Sequence, residues 1–293
     1  MEIIDAAFGL ANFYARIGDK EAAYEAFDKI MVIPKLSTSK KIECLMGKSR
    51  VANWHDDDMK NHEIVDEACK KASEGGDWDK RNRLKIYSAL MMMVKRDFAS
   101  AAALLLDCTQ TFACNELCSY TEFVVYASLF NILHLPRTEL KSKIIDCPEI
   151  LQTFNEIPVI GGLIHCFYDC DYAGYMKSVV GVEDVLLADR YLARHCRFII
   201  RELVVLGYKQ FLDSYKSVTL ESMGGAFGVS AGFIDLQLSR FIAAGRLTAK
   251  IDKVSGVVET NRPDLRNSEY KELIQKGDVL LNSIQKLSRV GGV

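Results

Sequence analysis

Apolar and small residues recur at helical spacing in the first part of the chain. Between Asp5 and Pro34 they follow the helix-turn-helix spacing of a tetratricopeptide repeat, with alanines where two helices approach and aromatic residues between neighbouring repeats. A related unit spans Asn82 to Phe112, and a degenerate unit, Leu45 to Ala72, lies between them. One helix pair cannot bury its own apolar face, so we expect TPR-like stacked pairs over residues 1–97. An irregular helical bundle is the alternative.

Helical spacing continues after Cys114, although the repeat signal fades. Prolines, which break helices, are few, and long helical windows remain between them. We therefore expect a mainly α fold. The helices expected here are Ser119 to Leu135, Pro148 to Asn155, Val159 to Tyr168, Asp184 to Phe198 and Arg201 to Lys216.

From Thr219 onward the pattern predicts a winged helix. A helix that opens at Thr219 meets a turn at Gly228 to Ser230, and the Ser230 hydroxyl can cap a second helix. Two short strand-like runs follow, Leu247 to Ile251 and Val257 to Thr260, which predict a β-hairpin. One stripe of the second helix is apolar and comprises Ile234, Leu238, Phe241 and Ile242.

The last segment has heptad spacing. Two of its heptad positions are apolar or small, one occupied by Tyr270, Gly277 and Ile284 and the other by Leu273, Leu280 and Leu287. A single helix from about Ser268 to Arg289 would present these residues as a narrow apolar seam. Such a seam either folds back onto its own domain or joins other helices.

Composition is that of an ordinary folded protein, with 49% hydrophobic and 26% charged residues. A net charge of -2 gives no global attraction to nucleic acid or to an anionic membrane. The nine cysteines have no regular spacing and indicate reduced thiols, which favours the cytoplasm and nucleus. The longest apolar stretch, Phe123 to Leu135, is too short to cross a bilayer.

The predicted winged helix lacks the residues with which such domains read DNA. Between Ser230 and Ala244 the only charged residues are Asp235 and Arg240, whereas base readout needs Arg, Lys, Asn or Gln aimed at base edges. Acidic residues are interleaved with the cations that flank the wing, which are Lys250, Lys253, Arg262 and Arg266. Phosphate binding needs clustered and unopposed positive charge, so the sequence favours protein binding, and nucleic-acid binding is the alternative.

No motif predicts a catalytic, cofactor or metal site. The run from His62 to Asp66 begins like a zinc-protease helix but lacks the second histidine, and Gly47-Lys48-Ser49 lacks the first glycine of a phosphate loop. Ordinary core packing also explains the strongest metal candidate, which comprises His165, Cys166, Cys170, His195 and Cys196. We expect a protein that is not an enzyme and holds neither cofactor nor metal.

Five segments resemble one protein family, in the same order along the chain. They are ANFYARIGDKEAA (Ala11 to Ala23), GGDWDKRNRLKIY (Gly75 to Tyr87), RFIAAGRL (Arg240 to Leu247), KIDKVSGVVETNRPD (Lys250 to Asp264) and KGDVLLNSIQKLSRV (Lys276 to Val290). These strings are similar to the PCI-domain subunits of the 26S proteasome regulatory lid. The resemblance implies a PCI domain over residues 98–265, with its winged helix at about 217–262, and a C-terminal bundling helix over residues 266–293. Known members have a further helical region before the point where this chain begins, so we expect a shortened or incomplete member.

The resemblance also implies a function and partners. It implies a non-catalytic scaffold subunit of the lid, in a hetero-oligomeric complex with other PCI-containing lid subunits, that supports ubiquitin-dependent protein degradation in the cytoplasm and nucleus. We expect the two wing strands to present an edge to a neighbouring winged helix. The predicted interface residues are Phe241, Ile242, Leu247, Ile251, Val257 and Val258 in the wing and Leu273, Leu280, Ile284 and Leu287 in the tail. The signalosome and translation initiation factor three are built from similar subunits and are the alternatives.

Overall fold

The computed structural model describes residues 2–34, 36–75, 77–260 and 265–290. These residues are mainly helical and include one small three-stranded sheet, which confirms the expected fold class. The chain forms two compact units, Met1–Val204 and Val205–Val293. The domain boundary between residues 97 and 98 stays a prediction.

Six helices form the first part of Met1–Val204, and consecutive helices pack against each other. Aspartate side chains cap two of their N-termini: the Asp19 carboxylate accepts from the backbone N–H of Ala22 in α2, and the Asp97 carboxylate accepts from that of Ser100 in α6. Helix pairs joined by short turns are the expected TPR-like array. The helices are α1 (Glu2–Ile17), α2 (Lys20–Met31), α3 (Thr38–Trp54), α4 (Asp58–Gly75), α5 (Trp78–Val94) and α6 (Phe98–Asp107).

Small residues allow these helices to approach closely. Ala11 and Ala23 are fully buried, as the repeat spacing predicts. The Phe27 ring of α2 lies against Gly47 of α3, where an added Cβ would be 2.5 Å from Phe27 Cζ. Gly47 therefore serves helix packing inside α3.

Six more helices follow the array. One expected helix, Asp184 to Phe198, is wrong, because α11 ends at Ala188 and α12 begins at Cys196. The Asp189 carboxylate stops the helix, since it accepts from the backbone N–H groups of the two residues at 191 and 192. The helices are α7 (Tyr120–His134), α8 (Arg137–Leu140), α9 (Pro148–Phe154), α10 (Pro158–Asp169), α11 (Tyr172–Ala188) and α12 (Cys196–Ser214).

Residues 189–195, which we call the 189–195 segment, reach back to the end of α3. The Arg190 guanidinium donates to the backbone carbonyls of Asn53, at 2.6 Å, and Trp54, at 3.1 Å. It also pairs with Asp56 at 3.0 Å. One side chain thus adds hydrogen bonds to two of the last carbonyls of α3, of which that of Asn53 also accepts from the backbone N–H of Asp56.

The same segment contacts the turn after α5. The Nε–H of Arg96 donates to Nδ1 of His195 at 3.0 Å, so the ring proton lies on Nε2, 3.2 Å from the Val94 carbonyl that accepts it. Arg194 pairs with Asp58 at 2.7 Å. Burial, followed by the nearby Arg96 charge, lowers the pKa of His195 below its usual range.

Val205–Val293 contains the winged helix and a long final helix. Thr219 caps α13 and Ser230 caps α14, both by accepting backbone N–H bonds, and Gly228 ends α13 with a φ of +68° that favours glycine. The second predicted helix and the hairpin are confirmed. The elements are β1 (Ser217–Thr219), α13 (Leu220–Phe227), α14 (Ala231–Ala243), β2 (Ala249–Asp252), β3 (Val257–Thr260) and α15 (Leu265–Val290).

Replacing Gly47 by alanine should destabilise the array. The added methyl group would overlap the Phe27 ring, and overpacking of this kind costs about 1–3 kcal/mol. The matched control is Gly9→Ala on α1, where an added Cβ meets nothing within 4 Å and helix propensity should add about 0.5–1 kcal/mol. Urea unfolding of both variants checks the prediction, which equal effects at the two positions would contradict.

Acidification should weaken the fold through His195. Its pKa is lower in the folded than in the unfolded chain, so its contribution is intact above about pH 6.5 and is lost as the pH falls toward the folded-state pKa. His195→Gln should therefore reduce the loss of unfolding free energy between about pH 8 and pH 5. His55→Gln, at an exposed position, is the control. An unchanged pH dependence in His195→Gln would refute this role.

Candidate protein-interaction surfaces

The wing sheet has the order β1, β3, β2, with both neighbours antiparallel to β3. Val257 and Val258 therefore lie on the central strand, where β1 and β2 occupy both edges. Within the described residues β2 pairs only with β3, so its other edge is open to a further strand. The predicted edge contact consequently depends on β2, which begins at Ala249 and leaves Leu247 just before the strand.

Three of the six predicted wing residues support the sheet from within. Phe241, Leu247 and Val258 are buried, whereas Ile242, Ile251 and Val257 are partly exposed. Buried side chains cannot contact a partner directly, so the first three can only hold the strands in place. Their role at an interface stays a prediction.

Strand β1 was missed by sequence reasoning. It is three residues long and pairs through Val218 with Val258 of β3. Val218 is buried and its two neighbours are exposed, an alternation too short to predict a strand. The Thr260 side chain supports this pairing, since its hydroxyl donates to the carbonyls of residues 215 and 216, just before β1.

Helix α15 exposes an apolar face. Every described side chain from Glu269 to Ser288 is exposed, and the large apolar ones show between 58% and 71% of their surface. The four predicted tail residues lie on this face, and Ile274 and Leu281 widen it by a third heptad position. We call this surface the α15 face: Tyr270, Leu273, Ile274, Leu280, Leu281, Ile284 and Leu287.

The breadth of the α15 face differs from the narrow seam that the heptads predict. Apolar residues at two heptad positions suit one partner helix, whereas three positions are typical of a helix packed against more than one neighbour. The signal was present in the sequence, because Ile274 and Leu281 each follow a leucine of the seam directly.

Helix α14, which occupies the place of a DNA-recognition helix, exposes apolar side chains instead. Phe233 is 41% and Leu236 50% exposed. Of the flanking cations, Lys253 pairs with Asp235 at 3.3 Å. Arg262 and the side chain of Arg266 lie outside the described residues. The described surface thus offers few unopposed cations to phosphate.

The predicted metal candidate is engaged in other contacts. Both ring nitrogens of His195 take part in hydrogen bonds, and His165 lies edge-on to the Phe154 ring. Burial raises the pKa of the Cys166 and Cys196 thiols, which keeps them protonated at neutral pH. In the part of the chain that the structure describes, no group of three or more His, Cys, Asp or Glu could hold a metal ion.

None of the described helices combines sufficient length with sufficient apolar character to cross a bilayer.

Three family profiles match successive parts of the chain. Residues 1–143 match the 26S proteasome subunit RPN7, residues 171–262 match the PCI domain, and residues 270–290 match the 26S proteasome regulatory subunit RPN7/PSMD6 C-terminal helix. The last match coincides with the α15 face.

Relatives match over almost the whole chain. The 26S proteasome non-ATPase regulatory subunit 6 of Dictyostelium discoideum is 44% identical over 99% of this chain and 75% of its own length. Its homolog in Arabidopsis thaliana is also 44% identical, over 99% of this chain and 74% of its own length. By contrast, COP9 signalosome complex subunit 1 of Arabidopsis thaliana is 24% identical over 67% of this chain and 45% of its own length.

A charge on the α15 face should leave the fold of the isolated chain intact. Because Leu280 is 62% exposed, Leu280→Asp should change the unfolding free energy by no more than about 0.5 kcal/mol. Leu238→Asp, on the buried side of α14, should cost about 4 kcal/mol or more because it buries an unpaired charge. Circular dichroism during thermal unfolding measures both. A large loss for Leu280→Asp would mean that α15 is part of a core.

Proposed function

This chain belongs to the RPN7 family of 26S proteasome regulatory subunits, and we propose that it acts as a non-catalytic scaffold in the regulatory-particle lid. The observation that carries the proposal is the exposed α15 face, within the segment that matches the family's C-terminal helix. A contiguous exposed apolar surface of this kind is typical of a site where partner proteins bind. Its role is therefore to join subunits in the particle that carries out ubiquitin-dependent protein degradation.

The partners proposed for the wing are other PCI-containing lid subunits. Strand β2 has an open edge, and a strand from a neighbouring winged helix would complete its backbone hydrogen bonds. The sheet beneath is held by Phe241, Leu247 and Val258, which are buried. Ile242, Ile251 and Val257 are partly exposed and would line the border of this contact.

The partners proposed for the α15 face are helices of neighbouring subunits. Leu273, Leu280, Ile284 and Leu287 form one side of it, and Ile274 and Leu281 extend it. A face of this breadth favours a bundle of several helices. The complex is hetero-oligomeric and works in the cytoplasm and nucleus.

Membership of a sister complex is the second candidate function, and one observation supports it. The match to COP9 signalosome complex subunit 1 extends over 67% of this chain. Its 24% identity compares with 44% for the proteasome subunits of Dictyostelium and Arabidopsis. The difference favours the proteasome lid.

Native affinity capture of the tagged chain from its source cells tests the proposal. Stoichiometric lid and ATPase subunits in the mass spectrum are the expected result. Signalosome or initiation-factor subunits would retain the scaffold role but place the chain in a sister complex. A chain recovered alone, or with nucleic acid, would contradict the scaffold proposal.

The variant Leu280→Asp should reduce co-capture of lid subunits at least about tenfold, because a buried unpaired carboxylate costs several kcal/mol in a helix bundle. The matched control is Gln285→Asp, which adds the same charge to an exposed position of α15 outside the α15 face. It should be captured with the lid as efficiently as the wild type. Equal incorporation of both variants would refute the proposed contact.

A further inference from the structure

A cleft of about 500 Å³ opens within Met1–Val204, where the end of α3, the start of α7 and the 189–195 segment meet. Its lining comes from three parts of the chain, residues 50–55, 116–126 and 188–191, together with Ala15. The volume falls within the range of about 300–1,000 Å³ that is typical of ligand sites. None of the contacts proposed for the wing or for α15 uses it.

One carboxylate of the cleft is held by donors of this chain. Both carboxylate oxygens of Glu116 accept from the Arg83 guanidinium. One of them also accepts a third hydrogen bond, at 2.9 Å, from the Tyr87 hydroxyl. Its acceptor capacity is therefore largely used.

The other two carboxylates are held in the same way. Asp189 accepts from two backbone N–H groups at 2.8 Å and from the Tyr126 hydroxyl. Glu122 closes the capping box of α7 by accepting from the backbone N–H of Ser119 at 2.8 Å. These carboxylates serve the fold.

Of the two arginines that line the cleft, Arg50 is the one whose N–H donors make no hydrogen bond within the described residues. Its nearest carboxylate oxygen, on Glu116, is 3.7 Å away, which is too long for a hydrogen bond. Within the described residues its guanidinium makes this ion pair but no hydrogen bond. Because Glu116 is shared between Arg83 and Arg50, one negative charge faces two positive charges. Positive charge therefore exceeds negative charge immediately around Glu116, although Glu122 and Asp189 also line the cleft.

Trp54 forms an apolar wall next to Arg50. The two residues are one turn apart on α3, so their side chains project from the same face of the helix. Trp54 is 69% exposed, and the Arg190 guanidinium stacks on its ring at 5.7 Å, which restrains it. Trp and Arg are the residue types that dominate binding energy at protein interfaces.

We propose that this cleft captures the C-terminal carboxylate of a partner polypeptide that ends in an apolar residue. A C-terminal residue carries its carboxylate and its side chain on one Cα. It can therefore place the carboxylate on Arg50 and the side chain on Trp54, which lie one helical turn apart. Guanidinium–carboxylate pairs are charge-assisted and often bidentate, which gives both strength and orientation. Capture of a chain end is a known mode of peptide recognition.

The test uses the full chain and a labelled pentapeptide of serine and glycine that ends in two leucines. Fluorescence anisotropy compares the free-acid peptide with its C-terminal amide, which is identical except for the charge. The free acid should bind, and the amide should bind at least about tenfold more weakly. No binding of the free acid, or equal affinity for the two peptides, would overturn the proposal. An amidated peptide with an internal aspartate that binds as tightly as the free acid would also overturn it, in favour of acidic side chains as the ligand.

Two variants locate the site. Arg50→Gln should weaken binding of the free-acid peptide at least about tenfold. Glu116 keeps its hydrogen bonds to Arg83 and Tyr87 in this variant, so the fold should be retained. Trp54→Ala removes an exposed ring and should also weaken binding. Arg81→Gln, at an exposed position of α5, is the matched control and should bind as the wild type does. Binding that is unchanged in Arg50→Gln would refute the assignment, and melting temperatures confirm that the variants are folded.

Discussion

Shared burial between neighbouring helices is the interaction on which Met1–Val204 depends. No helix pair of a stacked array covers its own apolar face, so Phe27 of α2 packs over Gly47 of α3 and the next pairs continue the stack. The 189–195 segment adds a second constraint, because Arg190 and His195 bond to backbone carbonyls 137 and 101 residues earlier in the chain. These long-range bonds join the array to the later helices in one compact unit. They also hold residues 189–191, which line the cleft at Arg50.

Much of the fold was predictable because it is encoded locally. Helix caps, short turns and apolar spacing identify the array, α13, α14 and the hairpin before any tertiary contact is known. The expected helix from Asp184 to Phe198 was wrong because its apolar spacing continues across Asp189, whose side chain caps the backbone and ends the helix. Strand β1 escaped prediction because its pairing is set by β3, which lies about 40 residues later, rather than by its own short sequence.

The candidate surfaces were less predictable than the fold. The sequence predicted that the tail residues share one face of a helix. It did not predict that Ile274 and Leu281 belong to this face, because a strict heptad pattern counts only two positions in seven. The hairpin was predicted, yet only the strand order shows that β2 carries the open edge. The cleft left no sequence signal at all, since its lining comes from separate segments that meet only in the folded chain.

The proposed scaffold role depends on one physical requirement, which is that partners cover the α15 face. Hydrogen–deuterium exchange of residues 265–290, in the free chain and in the assembled lid, measures that requirement directly. Fast exchange in the free chain and strongly slowed exchange in the assembly are the predicted results. Equal exchange in the two states would contradict the account, because it would mean that no partner covers the helix.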